Sequence, residues 1–550
     1  MSVPKVVIPI QSTLGTAAAE NDDFYFSECF VDTGLIDQLL SPLSAQSIVA
    51  GRTGSGKSAI LRKIEETSEH VCILNPETLS LGFLADSWLL NFLTTKDVDL
   101  GLFYQQLWRH VLVIELLRYE KNLESEYKVK SFIQSFSDIF KDNTAKLRAF
   151  EYLTKYGGQF WEDTELRVRH IAQAFEDNLS AEMGASFAGI RSKIEAGSNV
   201  SQTESSEIIS NARKIVNSIQ MQELSKIIDI LNEDVFDDKK RQVILLIDNL
   251  DLQWADSRIQ MKLIEALVNV IPKFRKIQNI KIIIAMRDDL IDQVLSQAST
   301  PGFQREKFAD QYKRIVWNKD NLKLVVNRRV KKLYKSQYTN ESIDIDDILA
   351  DQVSHQETFD YIFDRTMMRP RDVLSYFNKL FDKFAGKTEL LQKDIRSIEL
   401  DYSTDRRRAL VDEWSAMYPF ANLAIGFLGH KKLSSEFRFG NVDKDIIDEL
   451  VLNIITKHEN DRGDLVSKAR AHFNGGNDTT REAFFRSLIA VLYRIGAIGI
   501  KTQANSRVEF SFISRPLISG DELGENTPCL VHPMLWQNLG RRGESKGLFT

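Results

Sequence analysis

Residues 47–58 read Ser47-Ile48-Val49-Ala50-Gly51-Arg52-Thr53-Gly54-Ser55-Gly56-Lys57-Ser58. A short apolar run leads directly into G-x-x-x-x-G-K-[ST] spacing, met by Gly51, Gly56, Lys57 and Ser58, with Gly54 as a further permissive position. Glycines let a backbone turn tightly enough for successive N–H groups, here those of Arg52, Thr53, Gly54, Ser55 and Gly56, to face one anion. A helix opening at Lys57 and running through 59–66 aims its positive end at the same place. In that frame Lys57 reaches the β and γ phosphates, and the Ser58 hydroxyl ligates Mg²⁺. The stretch predicts a strand, a phosphate-binding loop and a helix in succession, and hence binding of a nucleoside triphosphate, ATP or GTP.

Working outward, residues 243–251 (Val-Ile-Leu-Leu-Ile-Asp-Asn-Leu-Asp) form a continuous apolar run ending in acids. Such a run is what a parallel strand covered on both faces requires. An Asp at its carboxyl end stands where ligands bind in open α/β sheets, so Asp248 is the expected Mg²⁺-associated partner of Ser58. The next residue, Asn249, cannot accept a proton. Asp251 is the nearest carboxylate and the candidate general base or water-orienting group; the alternative is a cap on the following turn. A third strand, 281–286, ends at Arg287, placed to sense a γ-phosphate or else to pair with Asp288 or Asp289. Strands at 312–317 and 71–74, the latter outermost, complete a doubly wound parallel sheet of the α/β class.

The composition narrows the field. At 550 residues the chain should form several domains. A net charge of −6 exerts no global pull on nucleic acid. Three widely spaced cysteines, Cys29, Cys72 and Cys529, lack metal-ligand or C-x-x-C spacing and suit a reducing cytoplasm. No apolar run is long enough for a membrane span.

Along the chain, residues 1–20 look poorly ordered and 1–40 form an N-terminal segment, whose aromatics around 24–30 could pack near a base or in a core. The nucleotide-binding core is expected over 41–320, with a helical insertion at about 115–238 filling the long interval between Lys57 and Asp248. A helical lid follows over 321–400. Within it Arg369-Pro370-Arg371-Asp372 opens a helix, proline suiting the first turn, and an arginine there could reach the nucleotide. Residues 303–335 hold eleven Lys or Arg against three Asp or Glu, a DNA footprint or a solvated helix face. Residues 401–550 read as winged-helix-like: a helix to Ile495, Gly496, a strand at 498–501, a turn at 503–506 and a strand at 508–512.

Taken together, Gly-Arg-Thr-Gly-Ser-Gly-Lys-Ser, Leu-Leu-Ile-Asp-Asn-Leu-Asp-Leu-Gln-Trp254, Ala-Met-Arg-Asp-Asp-Leu290 and Arg-Pro-Arg-Asp372 resemble prokaryotic P-loop ATPases of the AAA+/STAND group, which includes origin-recognition-like members. The resemblance implies a P-loop NTPase with helical lid and winged helix. It makes Lys57 and Ser58 Walker A, Asp248 Walker B, Arg287 a sensor-1 arginine, and Arg369 or Arg371 the sensor-2 candidate. In ATPases of the additional-strand class an acid usually follows the metal Asp, so Asn249 leaves two expectations: Asp251 supplies the base, or hydrolysis is slow and the chain acts mainly as a nucleotide-gated switch. The expected function is an ATP-binding and ATP-hydrolysing switch with Mg²⁺, controlling a homo-oligomer or a separate effector protein. Several members act in bacterial defence against phage. The competing expectation is a DNA-binding ATPase using the 303–335 face and the 503–506 turn; a small-molecule phosphotransferase fits the large appended domains less well.

Overall fold

The structure is a computed structural model that describes residues 6–541 apart from 17, 77–86, 97, 124–125, 140–163, 219–220, 239, 253–256, 298–304, 336–341, 460, 462, 502–506 and 515–516. By internal contacts the chain divides into two units, one of residues 34–51 and 57–315, the other of residues 1–33, 52–56 and 316–550.

The first unit is built on five short strands: β1 (Ile48–Gly51), β2 (Val71–Leu74), β3 (Val243–Ile247), β4 (Ile280–Arg287) and β5 (Tyr312–Arg314). They pair in the order β2-β3-β4-β1-β5, every pair parallel. Val71–Leu74 is outermost, as its sequence predicts, and the fold class is α/β. Alternating strand residues point to opposite faces. Ile48, Ala50, Leu245, Ile247, Ile282 and Ile284 join one cluster with helices Gly101–Lys121 and Ser257–Phe274. Their neighbours Val49, Ile244, Leu246 and Ile283 are buried too, which explains the uninterrupted apolar runs. β5 stops at Arg314, short of the expected 317.

Between β2 and β3 the chain is helical, as expected, in segments that include Trp88–Thr95, Gly101–Lys121, Thr164–Met183, Ala185–Glu195 and Gln202–Ser218. Phe175, Phe187 and Ile190 belong to the same apolar cluster as the sheet, so these helices extend the core rather than emerge from it. Gly184 (φ 57) separates two of these helices.

The second unit contains helices Lys319–Lys335, Pro370–Lys383, Glu399–Trp414, Lys444–Lys457, Asp464–Gly475 and Asp478–Ile495. A small hairpin joins β6 (Gln352–Val353) to β7 (Gln356–Glu357), and a three-stranded antiparallel sheet runs β8 (Glu436–Phe437), β10 (Cys529–Val531), β9 (Ile498–Ile500). The expected boundary at 400 falls inside helix Glu399–Trp414.

Two expectations need correction here. The described part of 1–20 is packed, not loose: Ile8 and Leu14 are fully buried, and Ile8 donates to Lys387 O (2.7 Å) and accepts from Gly386 N–H (2.8 Å). Two isolated apolar residues make no periodic pattern, yet each finds a seat. Tyr25 and Phe26 are likewise core residues, the Tyr25 hydroxyl donating to Thr13 O at 2.6 Å. In the C-terminal region, Gly496 (φ 89) ends its helix as predicted, but Val508–Phe512 is no full strand. Only Glu509 bridges Ile500, while Phe510 and Phe512 meet as tilted rings at 5.3 Å, both against buried His532. β9 takes its ladder partner from β10 instead; the 503–506 turn lies outside the described residues.

The basic run is largely matched by acids. Lys319 pairs with Asp360, Lys323 with Asp346 (2.8 Å), Arg329 with Asp22 (2.5 Å), Lys331 with Asp344 (3.2 Å) and Lys332 with Glu28 (2.8 Å). Among the described residues no helix is long and apolar enough to cross a membrane.

Candidate functional site

In the first unit, β1 ends at Gly51 and helix Lys57–Thr67 begins at the lysine. Lys57 Nζ donates to Gly51 O at 3.1 Å, so the ammonium lies back over the start of the loop. The Ser58 hydroxyl donates to the Asp248 carboxylate at the carboxyl end of β3. Burial raises the pKa of Asp248, opposed by the Asn249 N–H (2.8 Å), the Ser58 hydroxyl and the Lys57 charge. Asn249 has φ 61, a left-handed conformation that asparagine tolerates and that turns the chain sharply after the strand. The sheet therefore brings Lys57, Ser58 and Asp248 together.

Asp251 and Arg287 also meet, but with each other: Arg287 Nη1 stands 3.6 Å from Asp251 Oδ2. The guanidinium forks onto Asp289 through Nε (2.8 Å) and Nη2 (3.1 Å), the salt-bridge alternative raised by the sequence. Asp288 turns instead to Arg314 at 2.9 Å.

Residues 52–56 make their contacts within the second unit, where three successive carbonyls are taken by outside donors. Arg369 Nη1 donates to Thr53 O at 2.5 Å, the Arg371 N–H to Gly54 O at 3.4 Å, and Trp317 Nε1 to Ser55 O at 2.7 Å. In a trans peptide the next N–H points opposite to the carbonyl. The amides of Gly54 and Gly56 are thereby turned away from these donors, while Ser55 N–H closes a turn onto Arg52 O (3.1 Å). Gly54 (φ 79) and Gly56 (φ 99) adopt the left-handed conformations this path needs.

Arg369 caps helix Pro370–Lys383 with proline in its first turn, as the sequence predicts. Its guanidinium is buried and committed: Nε to Asp372 (2.8 Å) and Nη1 to Glu413 (3.0 Å) as well as to Thr53 O. The expected contribution of Arg52 to the loop is its backbone N–H, and its side chain is engaged elsewhere. It is packed inward, Nη2 donating to Ile495 O at 2.6 Å and Nε 3.5 Å from Glu413, so only its backbone belongs to the loop's inner wall. No local pattern marks Glu413 or Trp317, since each acts on a partner distant in the chain.

At Gly54 an added Cβ would stand 2.7 Å from Arg371 Cβ, on a backbone at φ 79. Gly54→Ala is expected to cost at least about 1–2 kcal/mol of stability through the left-handed strain alone. Denaturant titration reads it; a wild-type curve would show that the loop relaxes freely.

A family model described as the FunZ-associated C-terminal helical domain matches residues 320–411, the stretch that carries Arg369, Arg371 and Asp372. The chain is also similar to the "Putative transposon gamma-delta 80.3 kDa protein" of Escherichia coli strain K12, at 23% identity over 538 residues, covering 96% of this chain and 66% of that protein. The chain thus spans just under two thirds of that relative's length. No solved structure matches the chain.

Proposed function

We propose that the chain binds ATP with Mg²⁺ at residues 51–58 and hydrolyses it slowly, as a P-loop NTPase of the additional-strand class that switches its own assembly or a separate effector protein. One observation carries the reading: a loop with glycines at φ 79 and 99 ends at a helix N-terminus whose Ser58 hydroxyl touches Asp248 on the parallel sheet. An additional strand, β4, stands between β1 and β3, the feature for which that class is named. The hydroxyl and carboxylate are hard oxygen donors, a set that suits Mg²⁺. Bound there, the ion would neutralise phosphate charge. The chain's own part is to cradle the phosphates with the amides around Gly54 and Gly56, to place the Lys57 ammonium beside them, and to hold Asp248 ionised through its hydrogen bonds. Asn249 carries no base, and Asp251 stands 3.6 Å from the Arg287 guanidinium, a pairing that competes with orienting a water; both support slow turnover. The C-terminal part, with its helix and small antiparallel sheet, serves in this reading as the winged-helix-like output domain.

A second reading, a DNA-acting ATPase, draws on the relative's printed association with a transposon. The ion pairs that neutralise much of helix Lys319–Lys335 weigh against that helix as the contact face. The test of the primary reading is Lys57→Ala, expected to raise the Kd for Mg-ATP about 100-fold, near the loss of one charge-assisted phosphate contact of roughly 3 kcal/mol. Unchanged binding and turnover in that variant would remove the proposal; a steeply salt-dependent gel shift with duplex DNA would bring the second reading forward.

A further inference from the structure

We infer that Arg52 and Glu413 are positioning residues of the phosphate-binding loop, fixing its backbone so that the C-terminal half of the chain sets its affinity for a triphosphate. The inference rests on the nucleotide reading above and adds the regulation of that site.

Arg52 follows the first loop glycine, a position whose side chain the motif leaves open. Here it is not solvated. Its guanidinium donates to Ile495 O (2.6 Å) and lies over the rings of Trp414 (5.5 Å) and Phe512 (5.9 Å). The space is made for it: a Cβ on Gly496 would stand 2.7 Å from Arg52 Nη1. Gly496 therefore has a second task beyond ending its helix. Arg52 stacks between aromatics that belong to helix Glu399–Trp414 and to the turn at 510–513.

Glu413 is the hinge of the arrangement. Buried between two arginines, it lies 3.5 Å from Arg52 Nε through one oxygen and 3.0 Å from Arg369 Nη1 through the other. Arg369 in turn holds Thr53 O at 2.5 Å. One carboxylate thus ties the loop twice, by the side chain of residue 52 and by the carbonyl of residue 53. Its neutralisation loosens both tethers, leaving Arg52 its bond to Ile495 O and Arg369 its bonds to Asp372 and Thr53 O. A loop pre-set in its binding conformation loses less entropy when an anion arrives. Loosened, residues 52–54 must be ordered more by the ligand itself. Conversely, any movement of helix Glu399–Trp414 or of the end of helix Asp478–Ile495 pulls on the loop, and nucleotide binding must bias that movement by the same factor.

The test uses the full chain with Mg-ATP as the probe. Arg52→Met keeps an apolar stem between Trp414 and Phe512 but removes the charge; Glu413→Gln keeps the shape. Each is expected to raise the Kd for Mg-ATP about tenfold, the lower end of what losing an outer-shell orienting partner costs. Kd is measured well below each variant's own unfolding midpoint, so that a purely structural role would not move it. Hydrogen exchange of the wild-type chain supplies a readout independent of any variant's folding: Mg-ATP should change protection at 410–414 and 495–497. Wild-type Kd in both folded variants, or exchange at those segments indifferent to Mg-ATP, overturns the inference while leaving the nucleotide reading intact. A wild-type chain that does not bind Mg-ATP at all removes both.

Discussion

Asp248→Asn is expected to lower ATP turnover by about 10³-fold while leaving nucleotide affinity within about tenfold of wild type, the split produced when an electrostatic stabiliser of the reacting charge is removed but the phosphate cradle remains. The substitution keeps the side chain's shape. An asparagine carbonyl can still accept from the Ser58 hydroxyl and from the Asn249 N–H that now lies 2.8 Å away. What disappears is the negative charge. In the wild-type chain that charge is held at some cost, because burial raises the Asp248 pKa, and it is retained through two hydrogen bonds and the nearby Lys57 ammonium. A buried carboxylate supported in this way, at the end of a parallel strand, fits a role at a cation better than a role in stability. Single-turnover hydrolysis and equilibrium binding, measured on the same preparation, separate the two effects. Wild-type turnover in Asp248→Asn would sink the assignment of this residue, and retention of turnover with excess chelator would sink the metal's part.

The sheet was legible because parallel strands covered on both faces must be written as apolar runs, and 243–247 and 282–286 are such runs in the chain. The succession of strand, turn and helix over 48–67 was legible because glycines stand at 54 and 56, where the backbone takes φ 79 and 99. Arg369 was placed at a helix start by the proline after it. The remainder depends on pairings the sequence does not advertise. Arg52 and Ile495 are 443 positions apart, and nothing near either residue distinguishes their hydrogen bond from solvent exposure. The basic run at 303–335 is the converse case: its charge is visible, but the acids that answer it, from Asp22 to Asp360, are scattered through the chain. Residues 508–512 have strand-like composition, yet Phe510 and Phe512 pack edge-on and tilted against His532 rather than continue a ladder. Tertiary packing overrides local preference there. The same packing makes His532 a neutral residue: burial lowers its pKa to about 3, and its Nδ1 accepts from Met534 N–H at 3.0 Å.

Asp372→Ala is expected to destabilise the second unit by about 3–5 kcal/mol, the usual cost of leaving buried charges without their partner. Asp372 is fully buried at the first turn of helix Pro370–Lys383 and accepts from Arg369 Nε (2.8 Å), Arg406 Nη1 (3.1 Å) and Met367 N–H (3.0 Å). Removing it strands two guanidinium groups inside the protein, and Glu413 alone remains for Arg369. The pH dependence follows from the same contacts. Burial opposes ionisation of Asp372, but Arg369 and Arg406 outweigh it, and its pKa falls from 3.8 to about 2. With the folded value below the unfolded one, the unfolded chain takes up the proton first as pH falls. The contribution of Asp372 is therefore complete above pH 3.8 and is lost as pH falls through about 2. Denaturant midpoints of wild type and variant should stay apart by a constant interval from neutral pH down to about pH 4 and draw together below it. A midpoint for Asp372→Ala equal to that of wild type at pH 7 would mean that water reaches Arg369 and Arg406, and that the cluster supporting Thr53 O is looser than its distances imply. Mg-ATP affinity should fall in the same variant, because Arg369, freed of one carboxylate, no longer has a single orientation from which to hold the loop carbonyl.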